Sequence, residues 1–204
     1  HRKGVELSHM AYHVYHTEAV ILGGKLFGDG DRILICYTRE FGLLFAHAKS
    51  IREVRSRLRY ALQTFAYAEI DLIRGKHGWK LISARPIDSF GSLWKHQDKR
   101  LVVAQHAHLL RRMIQGEEEH HALFDDLLEG MYFLGELGEG EELRAAELVF
   151  VVRLLARLGY WEAHPDDAQF LHDTAWTKET LVRASADRAR LLVGVNRALS
   201  ASQL

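Results

Sequence analysis

Residues 33–46, Ile-Leu-Ile-Cys-Tyr-Thr-Arg-Glu-Phe-Gly-Leu-Leu-Phe-Ala, decide how the first half of this chain folds. Two apolar runs, 33–37 and 43–46, are separated by a short corner that contains Glu40-Phe41-Gly42. Short runs rich in β-branched and aromatic residues, joined by a glycine-containing turn, are typical of adjacent strands. We therefore predict a pair of strands here.

The same pattern continues on both sides of this pair. Residues 19–22, 67–73 and 79–82 predict three further strands, and turns are indicated at 28–30 and 75–78. Five short strands favour a barrel of the oligonucleotide-binding (OB) type, because closing the sheet removes exposed edges. An open sandwich is the alternative.

After Pro86 the apolar residues follow helical spacing. Residues 124–134 and 143–158 each carry one buried stripe, and further helices are predicted at about 93–113 and 177–201. Glycines at 138, 140 and 159 are predicted to end helices. We expect an α+β chain of two domains: a five-stranded OB barrel at 10–85 and an all-α helical bundle at 86–204.

Charge divides the chain at the same place. The whole sequence carries 27 basic and 27 acidic residues, but residues 1–85 have a net charge of +6 and residues 86–204 a net charge of −6. This asymmetry predicts an anion-binding module in the first half.

The densest positive segment is 49–59, which contains five cationic residues and one acidic residue. A basic loop on a barrel rim attracts phosphates without reading a base sequence. Flanking cations could extend the track, whereas a solvated charged loop is the alternative. The candidate DNA-binding residues are Lys25, Arg32, Arg39, Lys49, Arg52, Arg55, Arg57 and Arg59.

Single-strand binding also uses aromatic rings on which bases stack. Tyr37, Phe41, Phe45 and Trp79 are the candidates, although we expect most of them to fill the barrel interior.

Several other functional classes lack support in the sequence. Cys36 is the only cysteine, so we predict a buried strand residue rather than a disulfide or a thiolate zinc site. His106 and His108 point to different helix faces, and no phosphate-binding glycine loop occurs. We expect no cofactor, no bound metal and no enzymatic activity.

The apolar stretches are far shorter than a membrane span, so we expect no membrane contact and a cytoplasmic, nucleoid-associated protein. Ser8-His9-Met10 resembles a cloning junction, and residues 1–9 carry no functional argument.

Three stretches carry a family resemblance. The first contains Thr-Glu-Ala-Val-Ile-Leu at 17–22, Gly-Asp-Arg-Ile-Leu at 30–34 and Thr-Arg-Glu-Phe-Gly-Leu at 38–43. The second contains Ala-Lys at 48–49, Ser-Arg-Leu at 56–58, Leu-Gln-Thr-Phe at 62–65 and Asp-Ser-Phe at 88–90. The third is Arg-Leu-Leu-Ala-Arg-Leu-Gly-Tyr at 153–160. Their order and spacing resemble the RecO family of DNA-repair proteins, mainly over residues 14–90.

The resemblance implies an N-terminal OB barrel and a C-terminal helical domain. It also implies binding of single- and double-stranded DNA, annealing of complementary strands, and action with RecR to load RecA onto DNA coated by the single-stranded-DNA-binding protein. Arg32, Lys49 and Arg57, with the neighbouring arginines of 49–59, become the favoured DNA contacts. Thr64 stands where the family often has proline, and the four-cysteine zinc element of many members is absent.

The acidic, aromatic-ended tail of the single-stranded-DNA-binding protein would need a basic rim beside an apolar groove. Arg111 and Arg112 with Met113, or Arg153 and Arg157, are the candidates, and surface charges at helix ends are the alternative.

The combined prediction is a recombination mediator that binds DNA without catalysis. Its rival is an interaction scaffold in which the barrel binds RNA or protein and DNA affinity is incidental. A nuclease or another hydrolase is a third, weaker possibility.

Overall fold

The computed structural model describes residues 13–27, 31–49, 61–114, 116–162, 164–171 and 175–202. Within these ranges, five strands form a closed barrel, and a helical region follows it. The strands are β1 (Val14–Phe27), β2 (Asp31–Thr38), β3 (Gly42–Ala48), β4 (Tyr67–Gly75) and β5 (Gly78–Asp88). The helices are α1 (Gly91–Trp94), α2 (Gln97–Met113), α3 (His121–Glu136), α4 (Glu141–Arg157), α5 (Ala168–Leu171), α6 (Lys178–Ala186) and α7 (Arg188–Ala201), with a 3₁₀ turn at Pro165–Asp167.

The barrel closes in the strand order β1-β2-β3-β5-β4. Neighbouring strands are antiparallel except for β3 and β5, which pair in parallel through Ala46 with Trp79 and His47 with Lys80. This closure confirms the predicted five-stranded barrel and rules out the open sandwich.

Strand β1 is longer than predicted because it continues through two glycines. Its first part pairs with β4 and its second part pairs with β2, with a register shift between Ile21 and Gly23. Gly23 has a φ of 148°, which side chains rarely allow. The bulge bends β1 so that one strand can serve both sides of the barrel.

Alternate residues of the strands fill the barrel interior. Leu34, Cys36, Leu44 and Ile70 are among the residues that form this core. Cys36 is fully buried as predicted, and burial raises the pKa of its thiol to about 12. The thiol therefore stays protonated and packs as a small apolar group.

A second core joins the barrel to the helices. Val20, Leu22 and Leu43 lie on the outside of the barrel and pack in the same apolar cluster as the helical residues. The ring of Tyr37 lies 5.8 Å from that of Phe124 on α3, measured between centroids. One side of the barrel is thus covered by helices, which leaves its other sides for solvent or ligands.

The helical predictions hold with two differences. The breaks near Gly138 and Gly159 are confirmed, since α3, α4 and the following segment end or begin there. The predicted helix at 177–201 is two helices, because the chain turns at Asp187 between α6 and α7. Similarly, a break at 95–96 separates α1 from α2, and β5 runs past residue 85 to Asp88.

No helix within the described ranges combines the length and the apolar character that crossing a membrane requires.

Candidate nucleic-acid interface

Part of the barrel surface that the helices leave open is a basic face with residues from the end of β1, from β3 and the residue after it, and from the start of β5. We call it the outer barrel face and define it by six residues: Lys25, Phe27, Phe45, His47, Lys49 and Lys80.

The strand register places these residues on one side of the sheet. Lys25 pairs with Ile33, Ile33 pairs with His47, and His47 pairs with Lys80. Residues paired across strands point to the same side of a sheet. Because Trp79, next to Lys80 in the sequence, belongs to the barrel core, this row faces outward.

The cations of the outer barrel face are available to a ligand. Lys25 and Lys49 are exposed and Lys80 is half-buried. Within the part of the chain that the structure describes, no carboxylate lies within ion-pair distance of these three lysines. His47 differs, since its Nε2 lies 3.0 Å from Asp31 Oδ2.

Two phenyl rings share this face with the lysines. Phe27 is 55% exposed and Phe45 is 57% exposed, although both belong to strands. The other predicted stacking candidates lie elsewhere: Tyr37 and Trp79 are buried, and Phe41 packs against Tyr15 and Trp79. Of the four predicted rings, Phe45 is the one that the structure presents on the outer barrel face.

Arg32 lies at the end of the barrel rather than on its outer face. It pairs with Leu26 and with Ala48, and Ala48 belongs to the barrel core. Its Nη2 is 3.4 Å from the position that a Cβ on Gly24 would occupy. The closer approach at this position is to the Ile33 carbonyl oxygen, 2.8 Å away, so the glycine lets β1 lie against β2.

Arg39 is held by carboxylates from both halves of the chain. Its Nη1 is 2.9 Å from Glu18 Oε2 and its Nη2 is 2.7 Å from Asp125 Oδ1 on α3. The hydrogen bond to Glu18 raises the pKa of Arg39, and burial opposes this. Binding a phosphate with Arg39 would compete with these contacts, so its geometry fits a tie between barrel and helices.

The remaining predicted DNA contacts, Arg52, Arg55, Arg57 and Arg59, lie outside the described residues. Lys49 is the last described residue before them. The sequence therefore continues from the edge of the outer barrel face directly into the basic segment.

The predicted partner-binding residues fall into two groups. Arg111 and Arg112 are exposed at the end of α2, whereas Met113 beside them is buried. Arg153 is 3% exposed, so it does not offer a surface contact to a partner.

Arg153 belongs to a buried network in the helical region. Its Nη1 lies 3.6 Å from Asp126 Oδ1, its Nε donates to the Phe170 carbonyl, and its guanidinium lies 4.7 Å from the Trp176 ring centroid. Arg157 Nε donates to Asp126 Oδ2 at 2.9 Å. These contacts tie α3 and α4 to the segments that follow them.

The opposite sign of charge lines a groove between β1 and β4. Glu18 and Glu69 are paired across these strands, and Glu40 and Asp71 lie in the same groove. Hydrogen bonds from Ser83 and His16 lower the pKa of Asp71. Negative charge on this side disfavours phosphates.

The described residues hold no cluster of His, Cys, Asp or Glu arranged for a metal ion. His106 and His108 lie on different sides of α2, as the spacing predicts, with His106 buried and His108 exposed.

Sequence reasoning missed three residues of the outer barrel face: Phe27, His47 and Lys80. Phe27 follows Gly23 and Gly24, which look like the end of a strand. His47 and Lys80 become neighbours through the β3–β5 pairing, which joins distant parts of the chain. The alternation of side chains along a strand could have predicted that His47 and Lys49 point to the same side of the sheet. Nothing in the sequence around Lys80 predicted that it joins them.

Two family models match the chain, one for each half. The model described as "Recombination protein O N terminal" matches residues 10–90. The model described as "Recombination protein O C terminal" matches residues 99–161. The matches cover the barrel and, from residue 99, the helices α2 to α4.

Curated relatives share the name DNA repair protein RecO. The relative from Desulfitobacterium hafniense (strain DSM 10664 / DCB-2) is 29% identical over 147 residues, 72% of this chain and 52% of its own. That from Heliobacterium modesticaldum (strain ATCC 51547 / Ice1) is 33% identical over 150 residues, with the same two shares. That from Dehalococcoides mccartyi (strain CBDB1) is 30% identical over 148 residues, 72% of this chain and 57% of its own.

The chain spans about half the length of the curated relatives that it matches. The two family models nevertheless follow one another in order and together cover more than half of the sequence. With a closed barrel and a helical region in the matching positions, this chain belongs to the RecO family of recombination proteins.

Proposed function

We propose that this chain is a DNA-binding mediator of recombinational repair, that it works without catalytic turnover, and that it binds DNA through the outer barrel face. The observation that carries the proposal is the cluster of Lys25, Lys49 and Lys80 beside two exposed rings, on a barrel that the RecO N-terminal model matches.

Binding through such a face is electrostatic. Lysines that neutralise phosphates release the counterions condensed on the nucleic acid, so affinity depends on salt and hardly on base sequence. The same neutralisation lowers the repulsion between two strands held near each other. We propose that the face binds single-stranded and double-stranded DNA alike. Annealing of complementary strands is the proposed consequence of bringing two single strands together on it.

The basic segment at 49–59 extends this proposal. Arg52, Arg55, Arg57 and Arg59 follow Lys49 in the sequence, and we propose that they lengthen the track for phosphates. Arg32 at the barrel end is a further proposed contact.

The partners are proposed from the family resemblance. They are RecR, RecA and the single-stranded-DNA-binding protein with its acidic tail. Arg111 and Arg112 are exposed cations in a region of net negative charge, and they are the candidate contacts that stay accessible.

Replacement of two exposed lysines tests the proposed site. We expect Lys25→Ala with Lys49→Ala to weaken binding to many DNA sequences alike. The slope of log affinity against log salt should fall by roughly 0.7–0.9 for each lost phosphate contact. Fluorescence anisotropy at several salt concentrations measures both quantities.

The matched control is Lys95→Ala with Lys178→Ala, which removes two exposed lysines from the helical region. An unchanged slope in the barrel variant, or an equal change in the control, would contradict the site.

Tighter binding of RNA than of DNA of the same sequence would favour the scaffold alternative. Cleavage products in the presence of magnesium would contradict the non-catalytic assignment.

A further inference from the structure

Three rings of the outer barrel face follow one another across the sheet. The Phe27 and His47 ring centroids lie 5.8 Å apart, with the planes at 90°. His47 and Phe45 are two residues apart on β3, so their side chains leave the same side of the strand, roughly 6.6–6.8 Å apart along it. The Phe27 ring of β1 therefore lies next to the His47 ring of β3, and the Phe45 ring follows along the same strand.

Neither phenyl ring contributes to the two apolar cores of the molecule. Phe27 and Phe45 expose more than half of their surface, and neither belongs to the two apolar clusters. Single exposed apolar residues are common, but two phenyl rings beside a third ring on one face form a patch. Contiguous exposed apolar patches are a feature of interaction sites.

The sheet surface is open at Gly23, whereas Ile35, between Gly23 and Phe45, packs partly against the apolar cluster of the helices. Gly23, Ile35 and Phe45 form one outward row of the sheet, and Lys25, Ile33 and His47 form the next. No atom lies within 4 Å of the position that a Cβ on Gly23 would occupy. A flat group can thus approach the sheet at Gly23, in the same row as the exposed Phe45 ring.

Charge around the patch selects its occupant. Lys25 and Lys80 lie in the same cross-strand row as His47, Lys49 follows His47 by two residues, and Asp31 is held against His47. An apolar peptide would gain nothing from three lysines, whereas a single strand of DNA offers flat bases to rings and phosphates to ammonium groups.

We propose that Phe27, His47 and Phe45 form a stacking platform for the bases of single-stranded DNA. This inference rests on the DNA binding proposed above and adds a preference to it. Because the bases of a duplex are already stacked and paired, the platform favours single strands, while the lysines serve both forms.

Probes that differ in their bases test the platform. Binding of the full chain is measured to oligothymidine, to an abasic strand of the same length, and to a duplex of the same length. The variant Phe27→Ala with Phe45→Ala should lose roughly fivefold or more in affinity for oligothymidine per ring, since each stacked base contributes about 1–3 kcal/mol. Its affinity for the abasic strand and for the duplex should stay within about twofold of the parent.

Two further variants complete the experiment. Phe27→Leu with Phe45→Leu keeps apolar bulk without the ring faces and should show the same selective loss. Tyr160→Ala removes an exposed ring from the helical region and should change no probe.

The outcomes separate this inference from the proposed function. An equal loss on all three probes, or no loss on any, overturns the platform. If Lys25→Ala with Lys49→Ala still weakens binding in that case, the DNA-binding face stands without it. A parent protein that binds none of the probes overturns both proposals.

Discussion

The outer barrel face and the arginine networks of the helical region use their cations in opposite ways. On the barrel, Lys25, Lys49 and Lys80 have no ion-pair partner among the described residues. In the helical region, Arg153 and Arg157 are held by Asp126, and Arg190 is held by Asp167 and Asp187. Counting charges in the sequence treats these residues as equivalent, but the structure separates those that can bind a ligand from those that hold the fold.

The cost of engaging a new phosphate explains the difference. An exposed lysine exchanges water for phosphate and gains from counterion release. An arginine in a buried network would have to leave a carboxylate without its partner, which is strongly unfavourable. The comparison therefore predicts that stability and DNA binding depend on different cations.

The largest effect is expected from Arg153→Ala. It removes one of the two arginines that face the buried Asp126 carboxylate, the donor to the Phe170 carbonyl and the contact with the Trp176 ring. We expect a loss of about 3 kcal/mol in the free energy of unfolding, because the buried Phe170 carbonyl loses its donor and Asp126 keeps only Arg157. Urea denaturation followed by circular dichroism measures it.

The control for this variant is Arg197→Ala. Arg197 pairs with Glu162, and both side chains are largely exposed. We expect a change of less than about 1 kcal/mol, since exposed ion pairs contribute little. Similar losses in the two variants would contradict the distinction between buried and exposed pairs.

A smaller effect is expected from the buried His106. Burial lowers the pKa of His106 to about 4, and its Nδ1 lies 2.8 Å from the Val102 carbonyl oxygen. Since the unfolded state binds a proton near pH 6.5 and the folded state does not, stability falls as pH falls from about 6.5 toward about 4. His106→Gln should remove about 2 kcal/mol of the stability difference between about pH 7.5 and about pH 5.

His108 is the matched control, since it lies two residues further along α2 and is exposed. His108→Gln should leave the pH dependence of unfolding unchanged. Equal slopes for the parent and for His106→Gln, measured by urea titrations across this pH range, would refute the assignment.

The smallest effect per residue is expected from the basic segment. Arg55→Ala, Arg57→Ala and Arg59→Ala together should leave the stability unchanged. They should lower the salt slope of DNA binding by roughly 0.7–0.9 per lost contact. Anisotropy titrations against salt give the slope, and an unaltered slope would remove these arginines from the proposed track.

The strands and most helices were predictable because their signals are local. Alternating apolar residues and glycine turns indicated all five strands, and the helical stripes indicated α3 and α4. The break at Asp187 was not predictable, since apolar residues continue on both sides of it. The extension of β1 was missed because Gly23 forms a bulge rather than a strand end.

The candidate site was only partly predictable because a face depends on register. Tyr37 and Phe45 both lie outside the barrel core, but helix α3 covers Tyr37 and leaves Phe45 exposed. Arg39 and Arg153 read as surface cations, yet each meets carboxylates from a distant segment. Such contacts have no signature in the neighbouring sequence.

Protection of lysines from acetylation, read by mass spectrometry with and without single-stranded DNA, tests the central claim most directly. The account predicts that DNA protects Lys25, Lys49 and Lys80 and leaves Lys95 and Lys178 as reactive as before. Protection of Lys95 and Lys178 with no protection of the barrel lysines would contradict it.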